Sequence, residues 1–333
     1  MIAQLDKAYL KIAKHRVCTR LLSYLFYEGR PLTTKGRWIN WLIFLNFQIF
    51  SRIPAPRKVI KPIFILGVGR SGSTILGKIL SIHRNVGFLN EPKAFWSFLN
   101  PEDDIVGSYN QLGTGRYVFS EEDATELVIK KAHNIHGWYL FFSGSRRVLD
   151  KYPEHIFRVP YLKTIFPDAK FILLVRDVRD NSESIANWSK EKTTKINGEV
   201  HDWWGKNDVK WYCLINQVAR KEKIFRQKKI DFKKIDDHKI RGEIEWFLTM
   251  REVLKLEEKN DTYLVRYEDL VNDRDNLLDG LVEFCELNYD ATLKKYAKSV
   301  IRNNKEKKII LSSVIKELKN YLSKLVMNSD TAN

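Results

Sequence analysis

The sequence predicts an α/β protein, a central parallel sheet flanked by helices, with an added helical segment at the N-terminus. Three observations predict it. Short apolar runs at residues 63–68 (IFILGV), 170–175 (KFILLV) and 262–265 (TYLV) have the length and continuity of buried strands. The first two are each followed by a turn and then by helical periodicity, as βα units require. Residues 1–58, by contrast, show basic helical patterning and no strand signal.

In order along the chain, residues 1–58 read as basic helices, and residues 52–61 as a linker that Pro54 and Pro56 keep out of any helix. We therefore expect two parts, a basic helical N-terminal segment (1–58) and one domain (59–333). After the strand at 63–68 come a glycine-rich turn and a helix with apolar residues at 75, 76, 79, 80 and 82. Residues 88–96 read as a strand end or turn, and 100–115 as loop. A helix is expected at 121–136, with Ser120 as N-cap and Asp123 three residues on. The strand at 170–175 leads into a helix at 177–188. Residues 190–245 read as polar and loop-rich. A helix at 243–258 places Trp246, Phe247, Met250, Val253 and Leu254 on one face. The strand at 262–265 and helices near 274–286 and 312–327 close the chain.

Lys plus Arg exceed Asp plus Glu by 16, and residues 1–58 hold +9 of that excess. Such a balance points to an anionic partner. The three cysteines, Cys18, Cys213 and Cys285, form no CxxC pair and no zinc-spaced cluster, so reduced thiols and no metal are expected. Residues 38–50 (WINWLIFLNFQIF) are apolar but too short and too polar to span a bilayer. Flanked by Arg37, Arg52, Arg57 and Lys58, they read either as an amphipathic helix packed on the domain or as an interfacial helix on a membrane. A cytoplasmic protein, at most peripheral at a membrane surface, is expected.

The turn after the first strand carries chemistry. Gly67-x4-Gly72-x-Thr74 opens a helix, and bare amides at a helix N-terminus bind anions. The pattern nearly satisfies the Walker A motif, which makes the fold P-loop-NTPase-like, but Ser73 stands where that motif needs Lys. Triphosphate chemistry is then poorly supported, and Arg70 within the loop can supply the cation instead. The turn after residues 170–175 supplies a second anion clamp: Arg176 ends the strand and Ser184 lies early in the next helix.

These two constellations, in this order, resemble those of the 3′-phosphoadenosine-5′-phosphosulfate (PAPS)-dependent sulfotransferases. The resemblance extends through Asp150-Lys151-Tyr152-Pro153, Phe166-Pro167-Asp168-Ala169-Lys170 and Val265-Arg266-Tyr267-Glu268-Asp269-Leu270, and covers about residues 62–290. It implies that Arg70, Ser71, Gly72, Ser73 and Thr74 hold the 5′-phosphosulfate and that Arg176 and Ser184 hold the 3′-phosphate. It implies PAPS as donor, 3′-phosphoadenosine-5′-phosphate (PAP) as product and no metal. Tyr267 is a candidate for the adenine end. Lys151 is a candidate for neutralising the transferring sulfuryl group or the leaving phosphate.

Transfer to a hydroxyl also needs a base. Glu91 lies twenty-one residues after Arg70, an offset similar to that in the tyrosylprotein branch of the family, and Glu-Pro is familiar from its bacterial members. His133 and His136 are the rival bases, and His83 reads as structural. Basic residues at Arg302, Lys305, Lys307 and Lys308 could cap the 3′-phosphate. The acceptor, a small molecule, saccharide or lipid, is expected to meet residues 97–147 and 190–245, where Trp96, Trp138, Trp203, Trp204 and Trp211 either stack on it or fill the core. The alternatives are a P-loop nucleotide kinase or NTPase, and a non-enzymatic binding protein. Nucleic acid is not an expected partner.

Overall fold

Five parallel strands in the order β2-β3-β1-β4-β8 form the centre of the computed structural model, which describes residues 2–109, 115–227 and 231–301. They are β1 (Ile63–Gly67), β2 (Val86–Asn90), β3 (Arg147–Lys151), β4 (Lys170–Val175) and, late in the chain, β8 (Thr262–Arg266). The helices α4 (Ser73–Ser81), α5 (Lys93–Leu99), α6 (Glu126–Ser143), α7 (Val159–Ile165) and α8 (Val178–Lys192) connect them. The expected α/β architecture is therefore present, built on five strands rather than the three apolar runs.

The two strands that the apolar pattern does not show as such are β2 and β3. β3 reads RVLDK, yet all five residues are buried. Its polar side chains have internal partners: Arg147 donates to the carbonyl of Cys285 at 2.8 Å, and Asp150 Oδ2 accepts from Trp96 Nε1 at 2.8 Å, although Arg147 Nη2 and Asp150 Oδ1 are buried without one. Charged residues with buried partners imitate a surface segment in sequence.

The N-terminal segment supplies α1 (Lys7–Ile12), α2 (Val17–Phe26) and α3 (Asn40–Phe50). Its polar contacts with the sheet follow one rule. β2 is an edge strand, and an open edge leaves backbone groups unpaired. On alternate residues of that edge, Arg16 donates to Val86 O, Arg20 donates to Phe88 O at 2.9 Å, and Glu28 accepts from Asn90 N at 2.6 Å. Arg20 and Glu28 also pair bidentately at 2.6 Å, both buried. Side chains thus close the edge where another strand would otherwise add.

The expected helix at 121–136 is two elements. A 3-10 turn at Glu121–Asp123, closed by a Ser120/Asp123 capping box, precedes α6, whose N-cap is Thr125. Residues 190–245, expected as loop, contain a small antiparallel sheet of β5 (Thr194–Ile196), β6 (Glu199–Asp202) and β7 (Gly205–Lys206). They also contain α9 (Val209–Gln217) and α10 (Lys223–Gln227), and α11 (His238–Leu256) begins within them. The chain continues through α12 (Tyr267–Asn272), α13 (Arg274–Phe284) and α14 (Ala291–Val300), the last without a sequence expectation. The expected helix at 312–327 and the basic cap of Arg302, Lys305, Lys307 and Lys308 lie outside the described residues.

Candidate active site

Each of the five strands delivers a candidate residue at its carboxyl end, where parallel sheets bind ligands. β1 runs into the loop of Arg70, Ser71 and Gly72. β2 is followed by Glu91, β3 ends in Lys151, β4 is followed by Arg176, and β8 by Tyr267.

The loop is held from several sides. Ser71 Oγ donates to Val68 O at 2.6 Å, Asn181 Nδ2 donates to Gly69 O at 2.8 Å, and Arg176 donates to Arg70 O at 3.0 Å. Gly72 has φ +93°, and a Cβ there would lie 2.5 Å from the Tyr267 ring. A Cβ on Gly69 would lie 2.4 Å from the Trp203 ring. Glycine is needed at both positions because aromatic rings lie against the backbone. Ser73 and Thr74 open α4 directly behind Gly72.

Arg70 reaches across to α8, its Nε donating to Ser184 Oγ at 3.1 Å. Arg176 lies 4.6 Å from the centroid of Tyr267, and its carbonyl accepts from Trp246 Nε1 at 2.8 Å. The two arginines and Ser184, expected to serve different phosphates, are thus one cluster. Burial disfavours the Arg70 cation; Glu91 favours it and the charge of Arg176 opposes it. Two guanidinium groups this close favour an anion between them. On the same turn Arg179 bonds Asp177, while Asp180 lies 3.8 Å from Arg176.

Glu91 and Lys151 form an ion pair, set by the register in which Asn90 faces Lys151 and Glu91 N donates to Lys151 O at 2.7 Å. Glu91 has φ +48°, a conformation that costs a β-carbon-bearing residue free energy and is held by its surroundings. The pair is the head of a longer series. Glu91 lies 3.4 Å from Lys93, Lys93 lies 3.7 Å from Glu154, Glu154 lies 3.0 Å from Lys210, and Lys210 lies 2.8 Å from Glu245. Glu245 also accepts from Trp203 Nε1 at 2.9 Å. Burial pushes the Glu91 carboxyl up, but the ammonium groups of Lys151 and Lys93 outweigh it and hold the group down at about 2. Burial likewise opposes the charges of Glu154 and Lys210, yet their partners hold Glu154 ionised and Lys210 protonated.

Lys93, Glu154, Lys210 and Glu245 are absent from the sequence expectations, whereas Trp203 is one of the expected acceptor-or-core tryptophans. Lys93 and Glu154 each lie within three residues of a candidate, which is the one available signal. Nothing in the sequence connects Lys210 or Glu245, since α9 and α11 meet Glu154 only in space.

The rival bases are placed elsewhere. His136 is fully buried, stacked against Phe95 and Phe166 at 4.4 and 5.6 Å, and burial followed by the charge of His133 pushes it down to about 3. His133 bonds the carbonyl of Ile165 at 2.8 Å. Neither lines the cavity beside Glu91. His83, buried against Asn288 O at 3.1 Å, is structural.

That cavity has a volume of about 380 Å³. Glu91, Lys93, Thr74, Trp188 and Trp203, the last packed on Gly69, line it, together with Tyr24 and residues 28–34 from the N-terminal segment. Of the five tryptophans in question, Trp96, Trp204 and Trp211 are core residues, Trp203 faces the cavity, and Trp138 joins a surface aromatic cluster. Among the described residues no group of three or more His, Cys, Asp or Glu side chains could hold a metal ion.

Comparison with known proteins defines the class. The sulfotransferase family model matches residues 62–233, and the chain belongs to that family. It is 31% identical over 118 residues to the "Putative protein-tyrosine sulfotransferase" of Caenorhabditis briggsae, covering 35% of this chain and 40% of that protein. It is 28% identical over 122 residues to the nodulation protein NoeE of Sinorhizobium fredii, covering 34% of this chain and 28% of that one. The chain therefore matches less than half of the length of either relative. Among solved structures, the sulfotransferase domain from the curacin biosynthetic pathway aligns with TM-score 0.46 and 17% identity over 80% of this chain and 98% of its own. Sulfotransferase STF9 from Mycobacterium avium aligns with TM-score 0.47 and 10% identity over 97% of each chain.

Proposed function

We propose that this protein transfers the sulfuryl group of PAPS to a hydroxyl (or amine) of an acceptor bound in the cavity beside Glu91. The observation that carries the reading is the convergence of an anion-binding loop, two arginines and a carboxylate–lysine pair on the carboxyl ends of five parallel strands. The loop amides and the α4 N-terminus take the 5′-phosphosulfate, and the Arg70–Arg176–Ser184 cluster takes the 3′-phosphate. Tyr267, packed on Gly72 and Arg176, borders the nucleotide. The acceptor oxygen attacks sulfur, the bond from sulfur to the bridging phosphate oxygen breaks, and PAP departs with that oxygen. Glu91 takes the acceptor proton. Lys151 neutralises charge on the transferring and leaving oxygens.

A kinase or NTPase reading has less support, because Ser73 occupies the position of the phosphate-binding lysine. Isothermal titration with PAP and with Mg-ATP separates the two. PAP binding without metal, weakened about 30-fold or more in Arg176→Ala through loss of a charge-assisted contact, is the expected result. A preference for Mg-ATP would overturn the reading.

The cavity supports a polar, ring-bearing acceptor, of which a saccharide is our choice. Trp188 and Trp203, packed edge to face at 5.5 Å, line it with aromatic surface, and Glu91, Lys93 and residues 28–34 offer hydrogen-bonding groups. No described helix is long and apolar enough to cross a membrane. A membrane contact by residues 1–58 of a cytoplasmic enzyme belongs to the same reading, supported by the exposure of Trp38 and Trp41.

A further inference from the structure

α3 has two faces of opposite use. Ile43 and Phe47 are fully buried against the domain, with Phe47 packed on Phe95 and Phe98 at 5.8 and 5.7 Å. The other face carries Trp41, Leu45 and Ile49, and the 3-10 turn Arg37–Ile39 that leads into α3 adds Trp38; all four are exposed, Trp38 by 74% and Trp41 by 63%. Exposed tryptophans of this degree are not explained by packing.

The stripe does not end with α3. Phe50 contacts Trp138 at 4.9 Å and Phe142 at 5.4 Å, and Trp138 stacks on Phe142 at 5.4 Å. Phe141 and Phe142 are themselves about half exposed, as is Ile53 beside them. Two distant segments therefore build one aromatic surface. Its surroundings are cationic. Between Glu28 and Glu91 the chain contains no acidic residue, while Lys35, Arg37, Arg52, Arg57 and Lys58 flank the stripe in sequence and are all exposed, Arg57 bonding Ser145 O just beyond the C-terminal end of α6 at 2.7 Å. On α6, Lys130 and Lys131 lie beside Arg52, and the acidic residue of that helix, Glu126, lies at its far N-terminal end.

We infer that α3 and the C-terminal half of α6 form a single docking face for an anionic lipid bilayer, extending the membrane contact of residues 1–58 to a folded, two-helix surface. Interfacial aromatic rings with a rim of Lys and Arg fit the boundary between headgroups and acyl chains, and the charge fits anionic lipid. The face is also connected to the candidate active site. Arg30, in the segment that closes the cavity, exchanges hydrogen bonds with the Asn40 side chain at the start of α3, at 2.8 and 2.9 Å. Docking of α3 thus holds one wall of the acceptor cavity near the headgroups.

The test is co-sedimentation of the full chain with phosphatidylcholine vesicles, with and without phosphatidylglycerol, as a function of salt. Binding that requires phosphatidylglycerol and weakens with salt is expected. Trp38→Ser/Trp41→Ser should weaken partitioning about tenfold or more with an unchanged thermal midpoint, because these two rings are exposed, and Phe141→Ser/Phe142→Ser should also weaken it severalfold, with a modestly lower midpoint from the lost stacking on Trp138. Brominated acyl chains should quench tryptophan fluorescence of the wild type and much less of the tryptophan variant. No vesicle binding by the wild type overturns the inference. Equal binding by the tryptophan variant overturns it as well. Loss with the tryptophan variant but not with the phenylalanine variant overturns the two-helix face while leaving a contact by residues 1–58. A dimer seen by sedimentation velocity, abolished by either variant without vesicle binding, reassigns the face to a second copy of the chain. None of these results depends on sulfuryl transfer.

Discussion

Replacing Glu91 with glutamine is expected to reduce sulfuryl transfer about 100- to 10,000-fold while leaving PAP affinity within about twofold. The amide keeps the shape of the side chain but cannot accept the acceptor's proton. In the proposed reading PAP binds through the loop and the Arg70–Arg176–Ser184 cluster, so its affinity would report whether that side of the site is intact. The buried Lys151 loses its carboxylate in this variant, so a lower thermal midpoint is also expected. Glu91→Asp, which retains the charge on a shorter arm, should recover stability and only part of the rate. Full activity in Glu91→Gln would remove Glu91 from the chemistry, and His136, stacked in the core, could not replace it.

The ion pairs around Glu91 make a separate prediction about pH. A carboxylate base is active only when ionised, so activity falls as pH drops through its pKa. In the free enzyme Lys151 and Lys93 hold that value near 2, against an ordinary 4.5. An acid limb from Glu91 should therefore be missing from kcat/KM across the ordinary acidic range. Lys93→Met removes one stabilising cation, raises the Glu91 value and should move that limb to higher pH. A donor that draws Lys151 toward its own oxygens has the same effect within the complex, so kcat should show an acid limb at higher pH than kcat/KM. Superimposable limbs for wild type and Lys93→Met would show that the base is another group.

The second large effect is on stability. Arg20→Met is expected to cost about 3–5 kcal/mol, because it leaves the buried Glu28 carboxyl without its cation and with only Asn90 N as donor, and removes the shorter of the two hydrogen bonds to Phe88 O. Urea denaturation measures the loss directly. The double variant Arg20→Met/Glu28→Met removes both charges and should recover much of it, although the β2 edge then lies open. Any folded Arg20→Met protein should also show a raised acceptor KM with PAP affinity unchanged, since residues 28–34 wall the acceptor cavity and do not form the loop after β1. A loss below about 1 kcal/mol would mean that the edge is closed by packing alone.

The site was partly legible for identifiable reasons. Gly67, Gly72 and Thr74 are readable because a loop that binds anions through its backbone needs small residues at fixed spacing next to a strand and a helix. Arg176 and Ser184 are readable because a strand end and the following helix fix their separation. Glu91 and Lys151 could be nominated one at a time, but not joined. Their pairing depends on the register of β2 against β3, and both strands carry polar residues that disguise them. The series from Lys93 to Glu245 gathers side chains from four elements, and local sequence holds no record of it.

The amino-acid order by itself determined the α/β class, the anion loop with its missing lysine, and a basic N-terminal segment, because each follows from local spacing or local charge. The tertiary structure decided the rest. It made the N-terminal segment the cover of the sheet's open edge and a wall of the cavity beside Glu91, and it packed Phe50 against Trp138 and Phe142 so that α3 and α6 share one exposed face. The physical reason is that backbone geometry at a turn is set by neighbouring residues, whereas the partner of a buried charge, and the neighbour of an exposed ring, are set by how distant elements pack.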